Sequence, residues 1–114
     1  MNIEDILAYD DTHRETVTVR EWNNAHVLVV SMTAMERAEI EKRWSRKDAT
    51  GDPAAFRADV LERSLKNEDG TPLATTEQIK ALMGKNANAI ERLFEAACRV
   101  SGFNNKDVEE LGKN

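Results

Sequence analysis

The chain has 114 residues, a formal net charge of −5 from 16 Lys+Arg against 21 Asp+Glu, 40% hydrophobic and 5% aromatic residues, and one cysteine. That length allows one domain with a thin, mostly aliphatic core whose large pieces are Trp22, Trp44, Phe56, Phe94 and Phe103; the acidic balance disfavours nonspecific binding to nucleic acid or anionic lipid, and a lone Cys98 leaves no intrachain disulfide or thiolate zinc cluster. The longest apolar run, Val27 to Val30, is far short of the roughly 20 residues of a membrane span, and the polar opening Met1-Asn2-Ile3-Glu4-Asp5 lacks a secretory-signal pattern, so a cytosolic protein is expected.

Asn2 to Tyr9 reads as a short helix or arm (residues 1–12 with its exit), with Ile3, Ile6 and Leu7 on one side and Asp10 and Asp11 closing it. Residues 15–32 then read as a β-hairpin. Asn23-Asn24 separates two β-rich runs, and asparagine tolerates the positive φ that a two-residue turn demands. With those two residues as the turn, Trp22 faces Ala25, Glu21 faces His26, Val19 faces Leu28 and Val17 faces Val30. That register sends Val17, Val19, Leu28, Val30 and Met32 to the core. It leaves Thr16, Thr18, Arg20, Trp22, Val27 and Val29 on an outer face more apolar than water requires. A lone hairpin also has two unpaired edges, which invites pairing with another subunit.

The rest, residues 34–112, reads as helical. Thr33 with Glu36 forms a capping box that starts a helix at Ala34, running to about Lys47. Asp52 caps the next, with Pro53 at its first position and an end near Asn67. Its apolar residues lie on two sides: Ala54, Ala58, Leu61 and Leu65 on one, Phe56 and Val60 on another. Glu68 to Pro72 is a turn. Thr75 with Gln78 opens a short helix that Gly84 ends. Asn86 caps the most amphipathic segment, with Ile90, Leu93, Phe94, Ala97 and Cys98 at helical spacing, and Gly102 stops it. Asn104 can cap a last helix carrying Val108 and Leu111. The expected fold is α+β and mainly helical: a two-stranded antiparallel hairpin followed by four to five helices in a single domain.

No catalytic constellation assembles, so no enzyme activity and no cofactor or metal are expected. His13 and His26 read as surface residues, the second facing Glu21 across the hairpin. Cys98, on an apolar helix face, reads as a small buried hydrophobe. Asn67-Glu68-Asp69-Gly70 is not a calcium loop, because Gly70 at the sixth position puts Leu65 and Thr76 where oxygen-rich ligands belong. Lys42-Arg43-Trp44-Ser45-Arg46-Lys47 is either a patch for nucleic acid or an acidic partner, or a solvated helix end complementing the macrodipole. Thr76 to Phe94 has a helix-turn-helix outline with Gly84 in the turn. Its second helix carries Glu91, Arg92, Glu95 and Arg99, which sum to zero charge, and Lys80 sits where the motif wants a small residue. A small DNA-binding regulator is therefore the alternative reading.

The chain resembles the tail assembly chaperones of long-tailed bacteriophages and prophages. The resemblance is carried by the hairpin Val17 to Trp22 with Val27 to Met32, by Thr33-Ala34-Met35-Glu36-Arg37, and by Leu65-Lys66-Asn67-Glu68-Asp69-Gly70-Thr71-Pro72-Leu73. It continues in Ile90 to Ala97, Ser101-Gly102-Phe103 and Val108-Glu109-Glu110-Leu111. It implies a non-enzymatic scaffold, made in the host bacterial cytoplasm and absent from the mature virion, that binds the tape measure protein, helps recruit tail tube protein and forms a homo-oligomer. It also implies a longer form made by ribosomal frameshifting, for which Leu111-Gly112-Lys113 offers a codon run able to slip. Two surfaces are nominated for these contacts: Arg20, Trp22, Val27 and Val29 for self-association, and Arg43, Trp44, Arg46 and Lys47 for a partner.

Overall fold

A computed structural model describes residues 1–44 and 52–103. Arg46, Lys47, the Asn104-capped helix and Leu111-Gly112-Lys113 lie outside the described residues. The order is α1 (Ile3–Ala8), β1 (Arg14–Val19), a single 3-10 turn (Arg20–Trp22), β2 (Ala25–Val30), α2 (Ala34–Trp44), α3 (Pro53–Ser64), β3 (Leu65–Lys66), α4 (Thr76–Leu82) and α5 (Ala87–Val100). The α+β class is as expected, with one more strand. No helix among the described residues is long and apolar enough to cross a membrane.

The helix starts follow local chemistry. Thr33 and Glu36 exchange backbone and side-chain hydrogen bonds at 3.0 and 3.1 Å, as do Thr75 and Gln78 at 2.9 and 3.2 Å. The Asp52 carboxylate accepts from the amides of Ala54 and Ala55, and the Asn86 side chain from those of Asn88 and Ala89. Each satisfies donors that a helix start leaves without intrahelical partners. Past α5 the chain turns at Gly102, whose φ of +76° is open to glycine at little cost.

The hairpin departs from the expected register. Both Asn23 and Asn24 do take positive φ, 55° and 58°, but Arg20–Trp22 coils into the 3-10 turn instead of continuing the strand. Val19 consequently pairs with Ala25, Val17 with Val27 and Glu15 with Val29. The shift is odd, and an odd shift exchanges the faces of β2. Val17, Val19, Val27 and Val29 form the core face, while Leu28 and Val30 are half-buried on the outer one. Two tertiary contacts favour the turn over the shorter loop. Trp22 folds back against the core, and the Glu21 carboxylate takes both terminal nitrogens of Arg92 on α5.

A second departure follows at the end of α3. Helix α3 stops at Ser64 because Leu65 and Lys66 extend to pair with Val29 and Leu28. The sheet order is β1-β2-β3, antiparallel throughout, so the free edge expected on β2 is taken. The chain returns through a tight turn. Asn67 N–H donates to the Thr71 carbonyl at 2.8 Å, Leu73 N–H to the Leu65 carbonyl at 3.0 Å, and Gly70 takes φ +88°.

Helix α5 lies across one face of the sheet, and α3 packs on α5, with α2 and α4 against α3. The two-sided apolar surface of α3 is thereby used within the chain. An aromatic file runs through this layer: Trp44 meets Phe56 edge-on at 5.7 Å, and Phe56 meets Phe94 at 5.8 Å. Arg57 lies 4.6 Å over the Phe94 ring and donates to the Glu91 carboxylate, closing the outside of the file. The start of α2 is tied to the end of α5 by Met32 N–H donating to Ser101 Oγ at 3.0 Å and by Arg37 over Phe103 at 4.5 Å.

Candidate interaction surfaces

Burial redistributes the residues nominated from sequence. Val29 is fully buried and Val27 is 9% exposed, so neither can belong to an outer surface. The physical reason is the odd register shift, which turns both side chains toward α5. Trp22 is half-buried against the core, and Arg20 alone of the four is fully on the surface. The proposed grouping is not one patch.

Trp44 is also interior. It is 6% exposed, stacks edge-on with Phe56, and donates its indole N–H to Asp59 Oδ2 at 2.9 Å. Asp59 is the buried carboxylate of α3. It also accepts from Arg43 at 3.0 Å and from Arg63 Nε at 3.0 Å, and Arg63 continues to Glu39 at 2.7 Å. A carboxylate inside an apolar layer is tolerated only with such partners. Arg43 and Trp44 therefore clamp α2 onto α3, and the tryptophan is not available to a partner. Sequence reasoning missed Asp59, although its spacing of four from Arg63 along one helix face was the signal for that pair.

The titratable residues outside this clamp are mostly structural. Burial pushes the Cys98 thiol up to about 12, far from the thiolate a nucleophile requires. Hydrogen bonds from Arg92 hold Glu21 down at about 2, and those from Arg99 lower Glu15. Asp10 is held at about 2, first by the Thr12 hydroxyl and amide and then by Arg14. His26 Nδ1 lies 3.0 Å from the Thr18 hydroxyl, because the register places it opposite Thr18 and not Glu21. Among the described residues no group of three or more His, Cys, Asp or Glu is arranged to hold a metal. The two cations of the supposed recognition helix, Arg92 and Arg99, are bound to Glu21 and Glu15 of the hairpin. Glu91 is bound to Arg57, and the apolar face of α5 is the centre of the core.

Among the described residues, three features face outward. The first is α1, whose Met1, Ile3, Ile6, Leu7 and Tyr9 are between 51% and 84% exposed, with no buried residue in the helix. An isolated six-residue helix is marginal in water. This one is held by a capping box in which Asp5 N–H donates to Asn2 Oδ1 at 2.9 Å. The second is the outer face of the sheet, where Arg14, Thr16, Thr18 and His26 are exposed and Leu28, Val30 and Lys66 half-buried. The third is a groove of about 640 Å³ between α3 and the start of α4, lined by Glu62, Arg63, Lys66, Leu73 and Gln78 among others. A smaller hollow of about 370 Å³ sits at the root of the arm, between Asp11, His13, Met32, Thr33 and Val100. Sequence reasoning saw the one-sided apolar pattern of α1. It did not see that, among the described residues, none of the helix's side chains is buried.

No family model and no curated protein sequence matches this chain. A solved structure does: the tail assembly chaperone of bacteriophage HK97 superposes with a TM-score of 0.61 at 12% identity, covering 86% of this chain and 95% of that one. Identity that low speaks for architecture, and the architecture agrees with the resemblance read from the sequence. The chain has a phage tail assembly chaperone-like fold.

Proposed function

We propose that this protein is a phage or prophage tail assembly chaperone. In this reading it binds the tape measure protein and helps recruit tail tube subunits in the host bacterial cytoplasm. It also self-associates, and it is left out of the finished virion. The observation that carries the reading is the shared fold over almost the whole of both chains. The surfaces support it. A chaperone of long, helix-rich clients needs apolar strips that exchange for the partner's own, set among charges that keep the complex soluble. The α1 arm and the Leu73 groove have that character, while the hydrogen bonds of Asp59, Glu21 and Glu15 hold elements of the fold together. The longer frameshifted form is part of the same proposal, and the codons of Leu111-Gly112-Lys113 test it by containing or lacking a slippery G/A run.

The DNA-binding reading needs free cations on a projecting helix, whereas Arg92 and Arg99 of α5 are engaged with the hairpin. The test is affinity capture with the purified chain: immobilised, it should retain fragments of the tape measure protein and purified tail tube protein from the phage or prophage that encodes it. It should leave genomic DNA fragments unshifted in a gel. Retention of neither protein, or a specific DNA shift, overturns the reading.

A further inference from the structure

We infer that the Asp69–Gly70 peptide is a latent self-modification site, able to rearrange to an isoaspartyl link, and that Thr71 holds it in check while the turn is folded. The inference stands on the chemistry of the turn and does not depend on the client assignment above. An aspartyl carboxyl followed by glycine sets an electrophilic carbon, Cγ, within ring-closing reach of an amide that glycine, having no Cβ, leaves unshielded. Both residues are exposed, and a Cβ placed on Gly70 would meet nothing within 4 Å among the described residues. In the reaction the Gly70 nitrogen bonds to Asp69 Cγ, and the carboxyl hydroxyl leaves with the amide proton as water. Water then opens the cyclic imide. Where it breaks the bond between the Gly70 nitrogen and the original main-chain carbon, the chain runs on through Cγ. No oxidant or cofactor enters, and the mass of the chain is unchanged.

The folded turn opposes this reaction at both reacting groups. Asp69 Oδ1 accepts from the Thr71 amide at 3.0 Å and from the Thr71 hydroxyl at 2.6 Å, which ties the carboxylate to the residue beyond Gly70. These bonds favour the ionised form and hold the Asp69 carboxyl below its ordinary value, the Thr71 hydroxyl being the leading cause. An ionised carboxylate is a poor electrophile, because it has no hydroxyl to release as water. Asn67 supports the arrangement: its side-chain amide donates to Thr71 Oγ1 at 3.1 Å and to the Pro72 carbonyl at 3.2 Å. The nucleophile is engaged as well, since Gly70 N–H donates to the Asn67 carbonyl at 2.9 Å. What the turn protects is the return of the chain beside β3. Asn67 N–H to the Thr71 carbonyl and Leu73 N–H to the Leu65 carbonyl close across it. An isoaspartyl link adds one backbone carbon inside that closure and breaks its fit, which releases Leu73 from its place in the groove beside α4.

Peptide mapping of the full chain tests this. Trypsin releases residues 67–80 as one piece, because Lys66 precedes it and Lys80 ends it, and electron-transfer fragmentation distinguishes an isoaspartyl from an aspartyl link at position 69. Wild type, Thr71→Val, Thr71→Ser and Asp69→Glu are incubated at neutral pH, folded and in urea, with circular dichroism verifying the fold of each variant. Losing the hydroxyl's hydrogen bond to the carboxylate is expected to speed product formation in folded Thr71→Val roughly tenfold over folded wild type. Thr71→Ser keeps a hydroxyl and should match the wild type. The unfolded wild type should outpace every folded form, and Asp69→Glu, which needs a larger ring, should give no product. An unfolded wild type without product overturns the proposal, as does a folded wild type that reacts as fast as the unfolded chain. So do a Thr71→Val rate equal to wild type, a Thr71→Ser rate equal to that of Thr71→Val, or product from Asp69→Glu.

Discussion

Replacing Asp59 by alanine tests whether the α2–α3 clamp is as internal as its geometry implies. The carboxylate is 9% exposed and accepts three hydrogen bonds, from Trp44 Nε1, Arg43 and Arg63. Removing it strands the indole N–H of a tryptophan that is itself 6% exposed, at a cost of about 1–3 kcal/mol for a buried donor left without a partner. Arg63, at 17% side-chain exposure, keeps Glu39 and loses only part of its pairing. Arg43 is 61% exposed and adds little, since exposed ion pairs contribute about 0–1 kcal/mol. The expected destabilisation is about 3 kcal/mol. Asp59→Asn, which retains an oxygen for the indole, should lose roughly half of that. Urea unfolding followed by far-ultraviolet circular dichroism measures both, and a double-mutant cycle with Trp44→Phe should return a coupling of about 1–2 kcal/mol. If Asp59→Ala lies within about 1 kcal/mol of wild type and is additive with Trp44→Phe, the indole is not held there. Trp44 would then return as a candidate surface residue.

The Cys98 thiol, pushed up to about 12 by burial, should resist a thiol-reactive aromatic disulfide at about pH 8 in the folded protein and react once urea unfolds it; rapid native labelling contradicts its placement. Glu21 and Asp10 are held at about 2 and Glu15 is lowered, from ordinary values of 4.5, 3.8 and 4.5 respectively. The folded state therefore binds fewer protons than the unfolded one between those limits. The stability they confer is complete above about pH 5 and drains away as pH falls toward 2. Glu21→Gln should flatten that acid limb of a stability–pH profile, and an unchanged slope refutes the Arg92 pairing. Ser64 Oγ is fully buried without a hydrogen-bond partner, so Ser64→Ala should raise stability by about 1 kcal/mol in urea. A loss of stability would reveal a partner for that hydroxyl.

Local chemistry was readable from the residues, and tertiary chemistry was not. Caps at Thr33, Thr75, Asn86 and Asp52 depend on neighbours within three positions, which is why those helix starts were legible and their structures match. The face of α5 was legible because Ile90, Leu93, Phe94, Ala97 and Cys98 state one period without interruption. The hairpin was only half legible. Asn23-Asn24 announced the turn, but the register depended on Glu21 finding Arg92 some seventy positions away, a contact that no local pattern records. The same holds for β3: Leu65 and Lys66 continue a helical pattern and leave it because β2 offers a vacant edge. Three of the nominated residues prove interior for these two reasons. Val27 and Val29 were turned inward by the register, and Trp44 was drawn inward by Asp59, whose role becomes visible only when α2 and α3 are side by side.

Co-expression is the direct test of whether this fold serves, as proposed, as a chaperone for a long tail protein. The tape measure protein of the same phage or prophage is produced in bacteria with and without this chain, and the soluble share is measured after centrifugation. The tape measure protein is expected to be largely insoluble alone, to become soluble when the chain is present, and to co-migrate with it in gel filtration. An unchanged soluble share, with the chain itself folded and abundant in the same lysate, would contradict the proposal.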